Sequence, residues 1–160
     1  MTTPTQLVLF SRGPDGVFAL WRRSIVLQVR RGALTLATLE SAASVLRGAT
    51  VSGRPLGALL VVEAGAPLPG GDVREVQRVL LRDLGAHEHV RVAPVILGDD
   101  VTAALQRSAG RLVAVGNPRV QRFETIPSAA GWLASELTGL GAPLSSTELV
   151  LAVEQLRAMS

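Results

Sequence analysis

The chain has 160 residues, 48% of them hydrophobic, which suits one domain with a substantial core. It contains no cysteine, so disulfide bonds and thiolate chemistry are excluded. Its 16 basic residues are all arginines and face 13 acidic residues, so the net charge is only +3 and the pI near 11.2 reflects the absence of lysine, tyrosine and cysteine. Because the arginines are scattered and aromatic residues are few, we expect no nucleic-acid partner.

The apolar stretches are too short to cross a membrane. Leu59–Val62, among the longest, falls far below the roughly 18 residues of a membrane span. Met1–Phe10 has neither the basic start nor the long apolar centre of a signal peptide. We therefore expect a cytoplasmic protein with no membrane span.

The first third of the chain predicts three short strands and a helix. Apolar, β-prone runs occupy residues 5–12, 17–22 and 25–29, and the turn-forming residues 13–16 make the first two runs a hairpin. Helical spacing of apolar residues then predicts a helix from about Thr35 to Arg47, with Gly48 as its stop.

A buried strand, a loop and an amphipathic helix follow. The continuous apolar run Leu56–Glu63 is typical of a strand buried on both faces of a parallel sheet, and the Pro- and Gly-rich stretch Ala64–Gly71 predicts a loop. Asp72 is the expected N-cap of the next helix. One face of that helix is apolar (Val73, Val76, Leu80 and Leu84), and another carries Arg74, Arg78 and Arg82 at i, i+4 and i+8.

The second half of the chain continues the alternation of strands and helices. We expect strands at 90–97, 112–115 and 119–123, and a short helix at 101–108. Thr125 caps a further helix, and Ser145 with Glu148 has the capping-box spacing at the start of the last one. The predicted fold is α/β: a mixed sheet with antiparallel N-terminal strands and helices packed on it. Residues 1–140 form the domain, and 141–160 add a C-terminal helix packed on it.

Three segments, in this order, resemble the STAS domain family of sulfate transporters and anti-sigma factor antagonists. Ile25–Thr35 resembles the family's strand that ends in Gly, one residue, Leu and a polar helix start. Leu59–Glu63, followed by a loop and the Asp72 helix, resembles its central strand. Phe123-Glu124-Thr125 leading to 129–133 (AAGWL) resembles its closing helix. The resemblance implies a STAS-like fold and a protein partner such as an anti-sigma kinase or a related regulator.

One departure from the family changes the functional expectation. Typical anti-sigma antagonists present a phosphorylatable Ser at the start of the helix after the central strand, where this chain has Pro69-Gly70-Gly71-Asp72. No hydroxyl is present from Ala64 to Asp72. The resemblance therefore implies a member without the phosphoserine switch, in which Asp72 either supplies a fixed negative charge or only caps the helix.

The candidate partner-binding residues lie in the loop and in the helix that follows it. Guanidinium groups bind carboxylates bidentately, so the arginine stripe is suited to an acidic partner, with an ordinary solvated helix face as the alternative. The candidate partner-binding residues are Gly70, Gly71, Asp72, Arg74, Arg78 and Arg82.

A small-ligand site is the second hypothesis. Asp99 and Asp100 follow a predicted parallel strand at its carboxyl end, where open α/β sheets bind ligands. A nucleotide or apolar molecule there would also contact Gly70 and Gly71, although helix capping by the two aspartates is the alternative. His87-Glu88-His89 supplies too few ligands for a metal, and the sequence carries no nucleotide or nucleophile motif. We expect no enzyme activity, cofactor or metal.

A structural role through the last helix is the third hypothesis. Leu149, Val153 and Leu156 form an apolar stripe that either docks on the chain's own domain or contacts a second copy in a homodimer. The preferred function is a non-enzymatic regulatory module that acts by protein–protein contact.

Overall fold

In the described part of the chain, five apolar segments form one sheet whose strands lie side by side in chain order. The computed structural model describes residues 7–98, 103–104 and 117–160. The first three strands are antiparallel and the last three are parallel, which confirms the predicted mixed sheet. The strands are β1 (Leu7–Gly13), β2 (Gly16–Trp21), β3 (Ile25–Arg30), β4 (Leu56–Val62) and β5 (Val90–Ile96).

Helices cover both faces of this sheet. Helices α1 (Leu36–Thr50) and α2 (Gly71–Gly85) connect the parallel strands and pack on one face. Helices α3 (Ile126–Gly139) and α4 (Ser146–Met159) pack on the other face. Each crossover between parallel strands therefore runs over the same face, and the C-terminal helix pair closes the opposite one.

Side-chain alternation in the strands divides the core into two layers. Leu27 and Leu59, each at most 1% exposed, pack toward α3 and α4, while Val26 and Ala58 pack toward α1 and α2. Each fully buried Val or Leu side chain contributes about 1.5–3 kcal/mol. β3 and β4 are therefore apolar on both faces, as the continuous run in β4 predicts.

Gly57 in β4 permits close packing of α3. A Cβ at this position would lie 2.9 Å from Cδ1 of Leu137 and 3.0 Å from Cδ1 of Ile25. A larger residue would therefore force the ends of the Leu137 and Ile25 side chains to move.

Helix α1 is longer than predicted. It runs through Gly48 and ends at Thr50, so the expected stop at Gly48 is wrong. A Gly inside a helix costs only about 1 kcal/mol relative to Ala, and buried Leu39 and Leu46 hold the helix on the sheet. Thr35 is the N-cap of this helix, because its Oγ1 accepts a hydrogen bond from Thr38 N at 3.2 Å.

The turn between β2 and β3 forms a second hairpin that the sequence did not predict. Arg22 and Arg23 have φ values of 53° and 60°, in the left-handed region that Asn and Gly usually supply in such turns. The pattern was missed because a pair of arginines carries no turn signal.

Beyond β5 the described chain resumes at residue 117. The predicted helix at 101–108, the strand at 112–115 and the Asp99-Asp100 pair lie outside the described residues, apart from helical Ala103 and Ala104. The segment predicted as a strand at 119–123 meets β5 at two isolated parallel bridges, Val92 to Val120 and Val95 to Phe123. It therefore lies alongside β5 without forming a continuous strand.

The two C-terminal helices begin at side-chain caps. Thr125 Oγ1 accepts from Ser128 N, and Ser145 Oγ accepts from Glu148 N, each at 3.3 Å. The Glu148 carboxylate pairs with Arg22 at 2.5 Å instead of bonding back to the start of the helix. Of the two capping-box hydrogen bonds, the one from Glu148 N to Ser145 Oγ is therefore formed. No helix in the described part of the chain is long and apolar enough to cross a membrane.

Candidate functional site

A buried arginine pins the loop that follows β4. Arg30, at the end of β3, is 5% exposed, and its Nη1 donates to Pro67 O at 2.8 Å and Gly32 O at 3.1 Å. Burial lowers the pKa of this guanidinium. Ala66, 1% exposed, adds a turn bond from its N–H to Glu63 O. The loop at 63–70 is thereby held against the sheet.

Helix α2 begins at Gly71, one residue before the predicted start. Its N-cap is Gly70, in an extended conformation with φ −61° and ψ 164°, and Arg74 N donates to Gly70 O at 2.9 Å. The prediction that Asp72 is the N-cap is therefore wrong, because Asp72 already lies inside the first turn. Its exposed carboxylate still suits the positive end of the helix dipole.

The predicted arginine stripe is exposed, but two of its members have acidic neighbours. Arg78 donates to both carboxylate oxygens of Glu75, at 2.6 and 3.1 Å, and this hydrogen-bonded pair lowers the pKa of Glu75 and raises the pKa of Arg78. Arg82 lies 3.6 Å from Asp83. Within the described ranges Arg74 makes no ion pair. The stripe is thus partly neutralised, with Arg74 as its uncompensated cation.

Val76 is exposed, although the sequence places it on the apolar face. Val73, Leu80 and Leu84 are buried in the core, whereas Val76 is 38% exposed. It follows Asp72 by one helical turn, so the two side chains are neighbours on the flank of the helix. Sequence periodicity did not predict this exposure, because residues at the edge of an apolar helix face recur with the same spacing as residues at its centre.

The small-ligand hypothesis gains no support from the described residues. Asp99 and Asp100 are not among them. Gly70 and Gly71 open α2, with the Asp72 carboxylate beside them. In residues 7–98, 103–104 and 117–160 no group of three or more His, Asp or Glu side chains could hold a metal ion. His89 Nε2 instead lies 3.2 Å from Thr50 O.

A shallow depression lies near the start of α1. It is formed where the β1–β2 turn meets the end of β3, and Asp15 O there accepts hydrogen bonds from Arg31 N and Gly32 N. The sequence did not indicate it, since its lining is assembled from the first three strands, the β1–β2 turn, the segment after β3 and the start of α1. It includes Ser11, Asp15, Gln28, Arg30, Ala33 and Thr38.

The predicted oligomer contacts lie inside the chain's own core. Leu149, Val153 and Leu156 are at most 1% exposed and pack on the sheet and α3, which is the intramolecular alternative. In this conformation they are not accessible to a second chain, so the contact assignment is corrected. The exposed apolar residue of α4 is Leu151, at 54%.

An ion pair fastens α4 to the start of the pinned loop. Arg157 Nε and Nη2 contact Oε1 and Oε2 of Glu63 at 2.5 and 3.1 Å, and Arg31 donates to Arg157 O at 2.8 Å. The hydrogen bond to Glu63 is the main cause that raises the pKa of Arg157. The partners are far apart in the chain, so no local pattern could predict the pair.

Comparison with known proteins supports the fold. Neither a protein-family model nor a curated protein matches the chain. Among solved structures it is similar to an uncharacterized protein of the DUF3478 family with a SpoIIAA-like fold from Shewanella loihica PV-4. The two share 20% sequence identity with a TM-score of 0.50, over 83% of this chain and 98% of that one. At this identity the similarity shows the fold alone, and it is the anti-sigma antagonist type of fold that the resemblance implies.

Proposed function

We propose that this chain is a non-enzymatic regulatory module of a bacterial cytoplasm that binds a protein partner through the α2 surface. The α2 surface comprises the loop at 63–70 and the exposed first half of α2, with Gly70, Gly71, Asp72, Arg74, Val76 and Arg78. Arg82 extends it toward the end of the helix.

The observation that carries this proposal is that an exposed flank of α2 follows a loop that is held in place on the sheet. Arg30 and Ala66 hold the loop before α2, and the buried face of α2 fixes the helix on the sheet. Binding therefore orders few residues, which lowers the entropic cost of association. Exposed Val76 supplies apolar contact area beside the charges of Asp72 and Arg74.

The charge of this surface is fixed rather than switched. No Ser, Thr or Tyr is present at 64–72, whereas the Asp72 carboxylate lies in the first turn of α2. A phosphate at that place would add negative charge at the same end of the helix. We infer that partner binding is constitutive with respect to phosphorylation, and that the partner is an anti-sigma kinase or a related regulator, as the resemblance implies.

Affinity capture tests this proposal. The tagged chain and a variant carrying Asp72→Ala, Arg74→Glu and Arg78→Glu are incubated with a lysate of the native host, and bound proteins are identified by mass spectrometry. The control variant carries Arg12→Glu and Gln155→Glu, two exposed changes outside the α2 surface. A protein captured by wild type and control, lost with the α2 variant and shown to bind when purified, supports the proposal.

Two outcomes would contradict it. If folded wild type and α2 variant capture the same proteins, the α2 surface is not the binding surface. If nothing is captured and nucleotides raise the melting temperature by an amount that grows with their concentration, the chain is a ligand-binding module.

A further inference from the structure

Arginines concentrate at the end of the sheet where β3, β4 and β5 begin. There Ser24 O accepts from Gly57 N and His89 O accepts from Leu56 N, both at 2.9 Å, so the β2–β3 turn, the α1–β4 loop and the α2–β5 loop lie together. We call this end the basic edge. Its arginines are Arg22, Arg23, Arg47, Arg54, Arg82, Arg91 and Arg119, and the described carboxylates there are Asp83, Glu88, Glu136 and Glu148.

The carboxylates compensate only part of this charge. Arg22 pairs with Glu148 at 2.5 Å, and Arg91 lies 3.5 Å from Glu136. In the described part of the chain, however, the ion pairs do not include Arg23, Arg47 or Arg54. All three are exposed, so their guanidinium groups are open to an external anion.

The backbone holds Arg23 in an unfavourable conformation. Its φ of 60° is disfavoured for any residue with a Cβ. Arg22, with φ 53°, makes local contacts that offset this strain. It pairs with Glu148, and its guanidinium carbon lies 4.5 Å from the centre of the Trp21 ring. Arg23 has no such ion pair or stack among the described residues. Strain at a residue without a local contact points to a role outside the chain.

The α1–β4 loop presents an apolar side chain between the other two arginines. Val51 is 87% exposed, and Arg47 and Arg54 flank it in the sequence. The loop is fixed by hydrogen bonds, since Thr50 Oγ1 donates to Arg47 O at 2.8 Å and Ser52 Oγ accepts from Arg54 N at 3.3 Å. Val51 is therefore held in solvent by an ordered loop.

We propose that the basic edge binds an acidic segment of a partner protein, with its carboxylates on Arg23, Arg47 and Arg54 and an apolar side chain on Val51. Three uncompensated arginines suit a short acidic segment, because bidentate guanidinium–carboxylate pairs form there. A nucleic-acid backbone usually engages a longer basic track of roughly six to ten contacts. The Trp21 ring is only 1% exposed, so the rings near the surface of this edge are the imidazoles of His87 and His89. This edge lies at the opposite end of the strands from the start of α2, so the inference is independent of the proposed function.

Fluorescence anisotropy with a labelled oligoglutamate peptide at low ionic strength tests the proposal. Wild type binds the peptide, and added salt weakens binding. The variant Arg23→Glu, Arg47→Glu, Arg54→Glu loses at least about tenfold in affinity, because each attraction becomes a repulsion. The control Arg12→Glu, Arg31→Glu, Gln155→Glu lowers the net charge by five units against six, at exposed positions outside both the basic edge and the α2 helix. It loses less than about threefold.

Arg23→Gly separates binding from folding. Gly adopts the positive φ without strain, so this variant melts a few degrees higher than wild type yet binds the peptide more weakly. Equal losses in the two triple variants, or unchanged binding in Arg23→Gly, overturn the proposal. Tighter binding of oligothymidylate or of anionic lipid vesicles than of oligoglutamate, lost with the same three arginines, also overturns the assignment to an acidic protein segment.

Discussion

The guanidinium of Arg157, in the last turn of α4, binds both carboxylate oxygens of Glu63, the residue that follows β4. The side chains are only 30% and 14% exposed. The pair therefore ties the C-terminal helix to the first residue of the loop that carries the proposed recognition surface. Helix α4 is part of the support for that surface.

Replacing Glu63 by Gln should destabilise the fold by about 1–3 kcal/mol, because the partly buried Arg157 loses its charged acceptor. Urea denaturation at neutral pH measures the loss. Glu154→Gln is the matched control, since Glu154 is an exposed i, i+3 partner of the same arginine and should cost less than about 0.5 kcal/mol. Equal losses of unfolding free energy in the two variants would show that the Arg157–Glu63 pair stabilises the fold no more than the exposed Arg157–Glu154 pair does.

Truncation of Leu149 should cost about 2–5 kcal/mol, because its side chain is fully buried between α4 and the sheet and leaves a cavity. Leu151→Ala, on the exposed side of the same helix, should stay within about 0.5 kcal/mol. Thermal and chemical denaturation of both variants check this. A loss below about 1 kcal/mol for Leu149→Ala would mean that α4 is not docked as described.

Arg30→Lys should loosen the loop at 63–70. Both hydrogen bonds leave Nη1, and the shorter lysine side chain does not bring its ammonium group to that position. An unsatisfied buried acceptor costs about 1–3 kcal/mol. Hydrogen exchange of the Ala66 amide should accelerate in the variant more than exchange in β3. Exchange at Ala66 that stays at the wild-type rate would show that Arg30 does not hold the loop.

The carboxyl group of Glu75 should titrate below its ordinary pKa of 4.5, because Arg78 donates hydrogen bonds to its charged form. A lowered folded-state pKa means that the stabilisation is complete above the unfolded-state value and is lost as the pH falls through the folded-state value. Carbon-detected NMR titration measures the midpoint. In Arg78→Gln the midpoint should return toward the ordinary value, and an unchanged midpoint would exclude Arg78 as the cause.

Much of the fold follows from local sequence patterns. The β-prone runs, the apolar stretch of β4 and the periodicity of α2 and α3 each reflect one burial pattern within a short window. The caps at Thr125 and Ser145 are equally local, since hydroxyl and amide lie three residues apart. These elements were therefore predictable without tertiary information.

The errors arise where tertiary packing or backbone geometry overrides a local signal. Gly48 does not end α1, because packing on the sheet exceeds its weak helix propensity. Gly70 caps α2 in place of Asp72, because the backbone is still extended at Gly70 and the helix begins at the next residue. The Arg22-Arg23 turn contradicts the usual residue preferences.

The candidate site was predicted only in part. The exposure of Asp72, Arg74, Arg78 and Arg82 followed from helical periodicity. The loop clamp by Arg30 and the link from Arg157 to Glu63 join residues tens of positions apart. Such contacts leave no mark in a single sequence, because spacing along the chain does not encode them.

Site-specific photo-crosslinking in the native host tests whether a partner protein binds the α2 surface. A photoreactive amino acid replaces Val76 on the α2 surface or, as the control, Leu151 on the opposite layer, and both positions are exposed. We expect a cross-linked complex with a different protein from position 76 and none from position 151. Absence of a product from position 76, together with cross-linking between copies of this chain from position 151, would contradict the account and favour a structural subunit.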